Sequence, residues 1–277
     1  MARADELGVI TSNISADFLD PPGVPPWNER RQPYVQTLRA ADPAIIGMQE
    51  VTPRQFAFLQ RQLADFGALT VPTANPDPTL LAAWREKYAA AGFLAPPDPY
   101  EVVLFYRRAT CVLLAGGHWW LSPTPERPSV GFGNVAPRVM LWAHLLHRPS
   151  GRELIAFNTH IDHRCTRPML DLCRQRCASF AKRGLPMLLI GDLNVNPADP
   201  EYAALIEAGW HDAHAVTASP EAATFLYDTP AAPGGRIDHI LYQGAGIAPL
   251  DWARLASPDA DRRLSDHDPV AVSFRLE

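Results

Sequence analysis

Cysteine is scarce in this sequence, which has four cysteines in 277 residues and no Cys-x-x-Cys pair. That number and spacing do not fit a scaffold held together by disulfide bonds. Cys173 and Cys177 stand one helical turn apart, a spacing compatible with a thiol pair but more typical of small residues on one helix face. The fold must therefore depend on a hydrophobic core, for which a hydrophobic content of 47% is ample.

Concentrated positive charge is also lacking, because the net charge is −5 and no run of Lys or Arg is longer than a pair. This argues against broad nucleic-acid binding through an extended basic face, but it leaves room for a nucleotide or a strand end at a local site. No apolar run approaches the length of a membrane span, and residues 1–8 lack the apolar run of a signal peptide. We therefore expect a cytoplasmic protein with no membrane contact and no implied protein partner.

Neither an internal repeat nor a clear linker divides the chain, so we predict a single domain over residues 1–277. Short apolar runs alternate with helical patterns, which indicates mixed sheets covered by helices. The pattern predicts strands at 102–106, 111–114 and 119–121, among others. A Pro-rich segment at about 72–99, with one helical stretch at 80–91, interrupts this rhythm and is predicted to be an insertion that covers a site or decorates the surface.

Polar side chains gather directly at the ends of the apolar runs. Strand ends in α/β sheets are where ligands and chemistry collect, because loops diverge there over a rigid support. Five such clusters occur along the chain: Gln49-Glu50, Asn158-Thr159-His160, Asp192-Leu193-Asn194, Arg236-Ile237-Asp238 and Ser265-Asp266-His267.

Each cluster taken alone has an ordinary explanation, since a Glu at a strand end often lies at a helix N-terminus and Asp-x-Asn is common in turns. Together they are hard to explain as caps, because several buried carboxylates are costly without a counter-charge. A divalent cation supplies that charge. The candidate ligands are carboxylate and amide oxygens, which favour Mg²⁺ or Mn²⁺ over zinc.

The order of these motifs resembles that of the endonuclease/exonuclease/phosphatase superfamily, which includes deoxyribonuclease I and the inositol phosphatases. The resemblance runs from near residue 8 to the C-terminus, and its most specific parts are Gly-Asp-x-Asn at 191–194 and Ser-Asp-His at 265–267. The segment from Trp119 to Arg138 is similar to a bacterial branch of that group. The resemblance implies an α/β fold, a four-layered sandwich of two packed mixed β-sheets flanked by helices, and a metal-dependent hydrolase of phosphoric ester bonds.

Carried over position by position, the resemblance also implies a metal site and a water site. Glu50 is the principal ligand of Mg²⁺ or Mn²⁺, Asn13 helps to organise the metal, and Asp266 lies at a second possible metal position. Asp192 activates the attacking water by accepting its proton or orienting it. Asn194 binds a phosphate oxygen.

The remaining implied roles concern the phosphate. His267 donates to the scissile phosphate, and Asp238 orients His267 and favours its protonated form. His160 faces the phosphate from the opposite side, and Arg138 binds the substrate phosphate or forms an ion pair across strands. The acid that many relatives place beside the equivalent of His160 is displaced here, because Glu101 stands one residue late and points to the other strand face unless a bulge realigns it.

The substrate stays open. The leading interpretation is a phosphodiester, either a nucleic-acid end, a nucleotide or a small diester, and phosphomonoester hydrolysis at the same site is an alternative. Asn158-x-His160-x-Asp162-His163 is one residue away from the signature of binuclear zinc hydrolases of the metallo-β-lactamase type, although an amide oxygen is a poor zinc donor. An inactive binding module on this fold is a further alternative, which the completeness of the site residues disfavours.

Overall fold

The computed structural model describes residues 5–19, 21–72, 78–90, 101–134, 136–220, 222–227, 234–257 and 262–277. Within these ranges two β-sheets pack face to face and helices cover both outer surfaces. The predicted four-layered sandwich of mixed sheets is therefore confirmed. None of the helices in these ranges has the length and apolar character needed to cross a lipid bilayer.

The elements follow one another along the chain as an alternation of strands and helices. The strands are β1 (Glu6–Asn13), β2 (Ile45–Val51), β3 (Phe66–Val71), β4 (Glu101–Arg107), β5 (Cys111–Trp120), β6 (Val139–His147), β7 (Arg152–His160), β8 (Met187–Asp192), β9 (His211–Asp212), β10 (Asp238–Gln243), β11 (Ile247–Pro249), β12 (Ala253–Arg254) and β13 (Val270–Leu276). The helices are α1 (Trp27–Ala40), α2 (Pro53–Gln62), α3 (Pro78–Ala90), α4 (Thr166–Ala181), α5 (Pro200–Glu207) and α6 (Ala213–Val216).

Two parallel strand pairs determine where the strand ends meet. The first sheet has the order β11-β13-β1-β2-β4-β3, with β12 also paired to β13, and the second has the order β5-β6-β7-β8-β10-β9. The pairs β1–β2 and β7–β8 are parallel, each joined through a crossover helix, and the other pairs between the described strands are antiparallel. The carboxyl ends of the parallel strands therefore meet at one rim of the sandwich, as expected for such connections.

Three apolar layers hold the sandwich together. Side chains such as Leu104 and Leu188 fill the space between the sheets. The outer face of the first sheet packs under α1 and α2 through residues such as Tyr34, and that of the second sheet packs under α4 and α5 through residues such as Phe157. Burial of this kind contributes about 25 cal/mol per Å² of apolar surface, which makes these layers the main source of stability.

The strand predictions for 111–114 and 119–121 were wrong in one respect, because β5 is continuous from Cys111 to Trp120. Gly116 and Gly117 lie within this strand, and a Cβ on Gly116 would stand 2.8 Å from Leu69 Cδ1. Glycine is thus needed for close approach and not for a turn. Helix α3 lies within the predicted insertion, but residues 73–77 and 91–100 fall outside the described ranges, so the insertion and the single-domain boundaries stay predictions.

Candidate active site

Strand β2 delivers Glu50 to the rim through a β-bulge. The register with β4 shifts between Met48 and Val51, so that Gln49 and Glu50 together lie opposite one residue of β4. Glu50 has φ of 61°, in the left-handed region, which costs a non-glycine residue about 1–3 kcal/mol and is typical of functional sites. The N–H of Ala16 donates to Glu50 Oε2 at 3.2 Å and fixes the carboxylate.

Asn13, at the end of β1, joins carboxylates from both sheets. Its Nδ2 donates to Asp192 Oδ2 at 3.0 Å and to Glu50 Oε1 at 3.3 Å. Its Oδ1 accepts the N–H of Ser15 at 3.0 Å. The amide nitrogen therefore faces the two acids, while the amide oxygen, which a metal would require, is bound to the backbone.

Asp192 ends β8 in a position that depends on the preceding glycine. A Cβ on Gly191 would stand 2.1 Å from the carbonyl oxygen of Thr159 in β7, so only glycine allows the strands to approach this closely. Asp192 is buried, and its Oδ1 accepts the N–H of Asn194 at 3.1 Å. Asn194 has φ of 51° and donates from Nδ2 to the carbonyl of Ile161 at 2.7 Å. The Gly-Asp-x-Asn motif thus forms one rigid turn at the rim.

Asp238 and His267 form a hydrogen-bonded pair across the two sheets. Asp238 opens β10 opposite Asp192, and its Oδ2 lies 2.8 Å from His267 Nδ1. His267 Nε2 lies 3.8 Å from Asp192 Oδ2. Burial alone would lower the pKa of His267, but Asp238 and Asp192 raise it to about 10. The neighbouring carboxylates thus favour the protonated form of His267, and its predicted role as a donor to the phosphate stays a prediction.

His160, at the end of β7, approaches Asp192 from the other side, with Nε2 3.5 Å from Asp192 Oδ2. Arg138 Nη1 lies 2.8 Å from His160 Nδ1, and because a guanidinium can only donate, Nδ1 must be the acceptor and Nε2 carries the proton. Burial and the neighbouring Arg138 hold the pKa of His160 well below its usual range. Arg138 Nη2 also lies 3.6 Å from Asp162 Oδ2. For Glu101 the structure describes the backbone alone, so the predicted displacement of this acid from His160 stays a prediction.

Several carboxylates lie close together at this rim, and their hydrogen-bond donors do not offset their mutual repulsion. Burial raises the pKa of Glu50, and the nearby Asp266 carboxylate raises it further. Burial and Asp238 raise the pKa of Asp192. Asp266 is half-buried and accepts the Ser265 hydroxyl at 3.1 Å. The acids from four motifs therefore share one site and repel one another there.

This donor set fits a hard divalent cation. Potential ligand atoms of Asp192, Asp238 and His267 lie within 4.8 Å of one another, although a protonated His267 would not bind an ion. Asp238 Oδ1 is buried without a hydrogen-bond partner. Mg²⁺ or Mn²⁺ binds ionised carboxylate oxygens, and such an ion would supply the counter-charge whose lack raises the pKa of Glu50 and of Asp192. The predicted ligands Glu50 and Asp266 lie beside this group, and their roles stay predictions.

The zinc interpretation of residues 158–163 finds no support in the geometry. Asn158 is fully buried between the sheets, where its Nδ2 donates to the carbonyls of Met48 and Val103 and its Oδ1 accepts from Gln49. Asp162 accepts from Arg164 at 3.2 Å. These donors are engaged in structural contacts and do not converge on one point with His160.

Several supporting residues were not found from the sequence. Arg30 is buried on α1, and its guanidinium donates to the carbonyls of Ile14, Ser15 and Leu264 at 2.6, 2.7 and 2.8 Å. It thereby joins the turn after Asn13 to the turn before Ser265. A single arginine in a helix gives no sequence signal for such a contact.

A second group that the sequence did not reveal lies behind Asp238. Arg236 donates to Asp212 Oδ2 at 2.6 Å, and Tyr202 donates to the same oxygen at 2.8 Å. His239 Nε2 lies 2.9 Å from the carbonyl oxygen of Val195. The group ties the start of β10 to the segment that follows Asn194.

Comparison with known proteins agrees with this geometry. The model of the Endonuclease/Exonuclease/phosphatase family matches residues 10–267. A protein of that family from Bacteroides thetaiotaomicron has a TM-score of 0.79 at 22% identity, with 98% of each chain covered. A mannosyl-6-phosphatase from Bacteroides thetaiotaomicron has a TM-score of 0.77 at 23% identity, covering 98% of this chain and 100% of that chain. TDP2 of D. rerio, solved with a single-strand DNA product, has a TM-score of 0.72 at 18% identity, covering 98% and 99%.

No curated protein matches the sequence significantly. The structural neighbours share under a quarter of their residues with this chain, so they support the fold alone, whereas the family match spans most of the sequence. Members of the family hydrolyse phosphoester bonds, and the prediction of such a hydrolase is confirmed. The chain belongs to the Endonuclease/Exonuclease/phosphatase family.

Proposed function

We propose that the chain hydrolyses a phosphodiester by attack of a water molecule that Asp192 activates, with Mg²⁺ or Mn²⁺ as cofactor. The observation that carries the proposal is the convergence of Asp192, Glu50 and the Asp238–His267 pair at one rim, where Asn13 contacts both acids. In-line displacement requires a positioned water, a base and donors around the phosphate. This rim offers the base and the donors, and they come from different strand ends and loops.

The chemistry assigns a separate task to each side chain. The water oxygen bonds to phosphorus while the ester P–O bond breaks, and the water proton passes to Asp192. The departing oxygen takes a proton from solvent and leaves as an alcohol. The raised pKa of Asp192 suits this task, because a base is most effective when its pKa approaches the working pH. His267 donates to a non-bridging phosphate oxygen, and the Nε2–H of neutral His160 donates from the opposite side.

The metal would be held at the acidic end of the rim. Glu50 and Asp266 would bind the ion, and Asn13 would organise its surroundings. A divalent cation, when bound, supplies positive charge to the phosphate oxygens and lowers the cost of gathering these acids. Asn194 completes the phosphate side, since its Nδ2 carries a second N–H besides the one that bonds Ile161.

The substrate class that we favour is a nucleic-acid end, a nucleotide or a small phosphodiester. A phosphomonoester is the second candidate, because Arg138 adds a nearly buried guanidinium beside His160 that would suit the extra negative charge. The structural neighbours named as a mannosyl-6-phosphatase and as TDP2 with a DNA product are compatible with both classes.

The direct test is an activity screen of purified protein. Phosphodiesters, phosphomonoesters, nucleotides and DNA oligomers are each incubated with Mg²⁺, with Mn²⁺ and with EDTA. The proposal predicts hydrolysis of at least one phosphodiester that requires a divalent ion and stops in EDTA. Preferential release of phosphate from monoesters would favour the second candidate, and absence of ion-dependent hydrolysis across the panel would refute both.

A further inference from the structure

The segment 222–227 connects the two halves of the Asp238–His267 pair. The N–H groups of Thr224 and Phe225 donate to the carbonyl of Gly235, just before β10, at 2.9 and 3.0 Å. On its other side, the N–H of Leu226 donates to the carbonyl of Asp266 at 3.0 Å. The segment is thus hydrogen-bonded to the start of β10 in the second sheet and to the turn before β13 in the first.

Thr224 is the residue of this segment that contacts both halves. Its Oγ1 accepts the N–H groups of Ile237 and Asp238, each at 3.1 Å. Its carbonyl accepts the N–H of Asp268 at 2.9 Å. One fully buried residue therefore holds the backbone that carries Asp238 and the backbone next to His267.

At the start of β10 the Thr224 hydroxyl accepts the backbone hydrogen bonds that a neighbouring strand would otherwise accept. Asp238 pairs with Asp192 of β8 on one side, whereas β9 on the other side reaches only Leu241 and Tyr242. The N–H groups of Ile237 and Asp238 would otherwise be buried without a partner, which is costly. Because the side chain of Asp238 is fixed by its backbone, the hydroxyl also determines where the carboxylate meets His267.

We infer that Thr224 is a positioning residue, whose hydroxyl holds Asp238 at hydrogen-bond distance from His267. The kinetic consequence rests on the proposed function, in which His267 donates to the phosphate. The contact itself does not depend on that function. Without the hydroxyl, Asp238 shifts and His267 loses its orientation, while Glu50 and Asp266 at the metal end keep their surroundings.

The test compares Thr224→Val, which keeps the shape and removes the hydroxyl, with Thr224→Ser, which keeps the hydroxyl. We expect Thr224→Val to lower kcat on a phosphodiester substrate about 10–100-fold with little change in KM, the range seen when supporting hydrogen bonds of a site are removed. Thr224→Ser restores kcat to within about threefold of the wild type. Thr70→Val is the matched control. The Thr70 hydroxyl likewise bonds to the backbone, by donating to the carbonyl of Val102, but Thr70 lies on β3, at the edge of the first sheet.

A second readout needs no substrate. The proton on His267 Nδ1, bonded to Asp238, gives a strongly downfield ¹H NMR signal that is assigned by its absence in His267→Gln. We expect this signal to be lost or shifted in Thr224→Val and retained in Thr224→Ser and Thr70→Val. Thr224→Ala, which removes the hydroxyl without adding a methyl group at its place, gives the same result if the valine variant does not fold.

Two outcomes separate this inference from the proposed function. An unchanged signal together with wild-type kcat in Thr224→Val and Thr224→Ala would overturn the role of Thr224, even if both variants were less stable. Absence of any hydrolysis by the wild type, with the signal still lost in Thr224→Val and kept in Thr224→Ser, would refute the proposed function and leave the positioning role supported.

Discussion

Asp192 contacts more of the proposed machinery than its neighbours in the same motif do. Its carboxylate accepts from Asn13 and from the Asn194 backbone, and both His160 and His267 lie within 4 Å of it. A carboxylate in such surroundings is held in one orientation, because each oxygen has a separate donor. This arrangement suits a group that must meet a water molecule repeatedly at one point.

Replacement of this carboxylate tests its role directly. We expect Asp192→Asn to lower kcat by about 10²–10⁴, the usual contribution of a positioned base, because the amide fills the same space but accepts no proton. Asp65→Asn is the control, since Asp65 forms an exposed ion pair with Arg39 away from the site and should leave kcat unchanged. Steady-state kinetics on the best diester decides, and a wild-type kcat in Asp192→Asn would remove Asp192 from the mechanism.

The sequence revealed the residues with chemical side chains but not the residues that hold them. Glu50, Asp192 and His267 were identified because they stand at the ends of apolar runs and belong to motifs in a recognisable order. Thr224 and Arg30 were not, because a hydroxyl or a guanidinium that bonds to backbone groups has no sequence period and no motif. Such contacts depend on which turns the fold brings together, and that is known only from the structure.

At the scale of elements, helix α1 supports the metal end of the site through Arg30. The guanidinium joins the turns after β1 and before β13 by three hydrogen bonds to carbonyls. We expect Arg30→Lys to reduce the free energy of unfolding by about 2–3 kcal/mol, because a charged hydrogen bond is worth roughly 1.5–3 kcal/mol and an ammonium cannot reach all three carbonyls. Urea unfolding measures this loss, and Mn²⁺ titration should show weaker binding.

Arg107→Lys is the matched control for this prediction. Arg107 also donates to a backbone carbonyl, that of Pro43, and pairs with Asp42, but it ends β4 beside the start of β2, at the end of the sheet away from the rim. This variant should lose stability and keep its Mn²⁺ affinity. If Arg30→Lys also kept its Mn²⁺ affinity, α1 would support the fold and not the metal end.

Strand β10 depends on the buried group around Asp212, which gives the protein a specific acid sensitivity. Burial alone would raise the pKa of Asp212, but His239 and Arg236 lower it below its ordinary value. A carboxyl whose pKa is lower in the folded chain stabilises the fold above the unfolded pKa, about 3.9, and loses that contribution as the pH falls toward the folded pKa.

We therefore expect Asp212→Asn to lower the free energy of unfolding by about 3 kcal/mol near neutral pH, in the range for a broken buried ion pair. The difference between wild type and variant should shrink as the pH falls below about 4, because the unfolded wild type then binds a proton at Asp212 that the folded chain does not. Urea unfolding at several pH values measures it. A difference that stays constant down to the lowest pH would show that the ionised carboxylate contributes nothing specific.

The bulge in β2 shows why element patterns alone do not locate a site residue. Strict alternation places Glu50 on the opposite face from Gln49, yet the extra residue between Met48 and Val51 turns Glu50 to the rim. The order of motifs singled out Glu50 in the sequence, but the direction of its side chain depends on a backbone angle that the sequence pattern does not encode. Strand β3 was missed for another reason, since Phe66–Val71 shows no alternation of polar and apolar residues and lies at the sheet edge, where four of its six residues are only partly buried.

On the scale of the whole molecule, the site exists only because two sheets are held in one relative position. Asn13, Glu50 and His267 come from the first sheet and its loops, whereas Asp192 and Asp238 come from the second. Asn158 fixes the sheets to each other through hydrogen bonds to Met48, Val103 and Gln49. A Cβ on Gly47 would stand 2.7 Å from Asn158 Oδ1, so this contact also requires a glycine.

The fold class could be predicted because alternation of strands and helices and the order of motifs both reflect this two-sheet plan. The contacts between the sheets could not be predicted. The motif that contains Asn158 reads the same whether its side chain faces a ligand or a backbone carbonyl. The sequence thus predicts which residues lie at the rim of the sandwich, whereas the hydrogen bonds that join the two sheets are seen only in the structure.

The measurement that tests the account most directly is calorimetric titration of the metal-free protein with Mn²⁺, repeated with Glu50→Gln. The account predicts saturable binding to the wild type, and at least about tenfold weaker binding to the variant, because the amide removes the negative charge that the ion compensates. Absence of binding to the wild type, or equal affinity in Glu50→Gln, would contradict the claim that a divalent ion joins the acids at this rim.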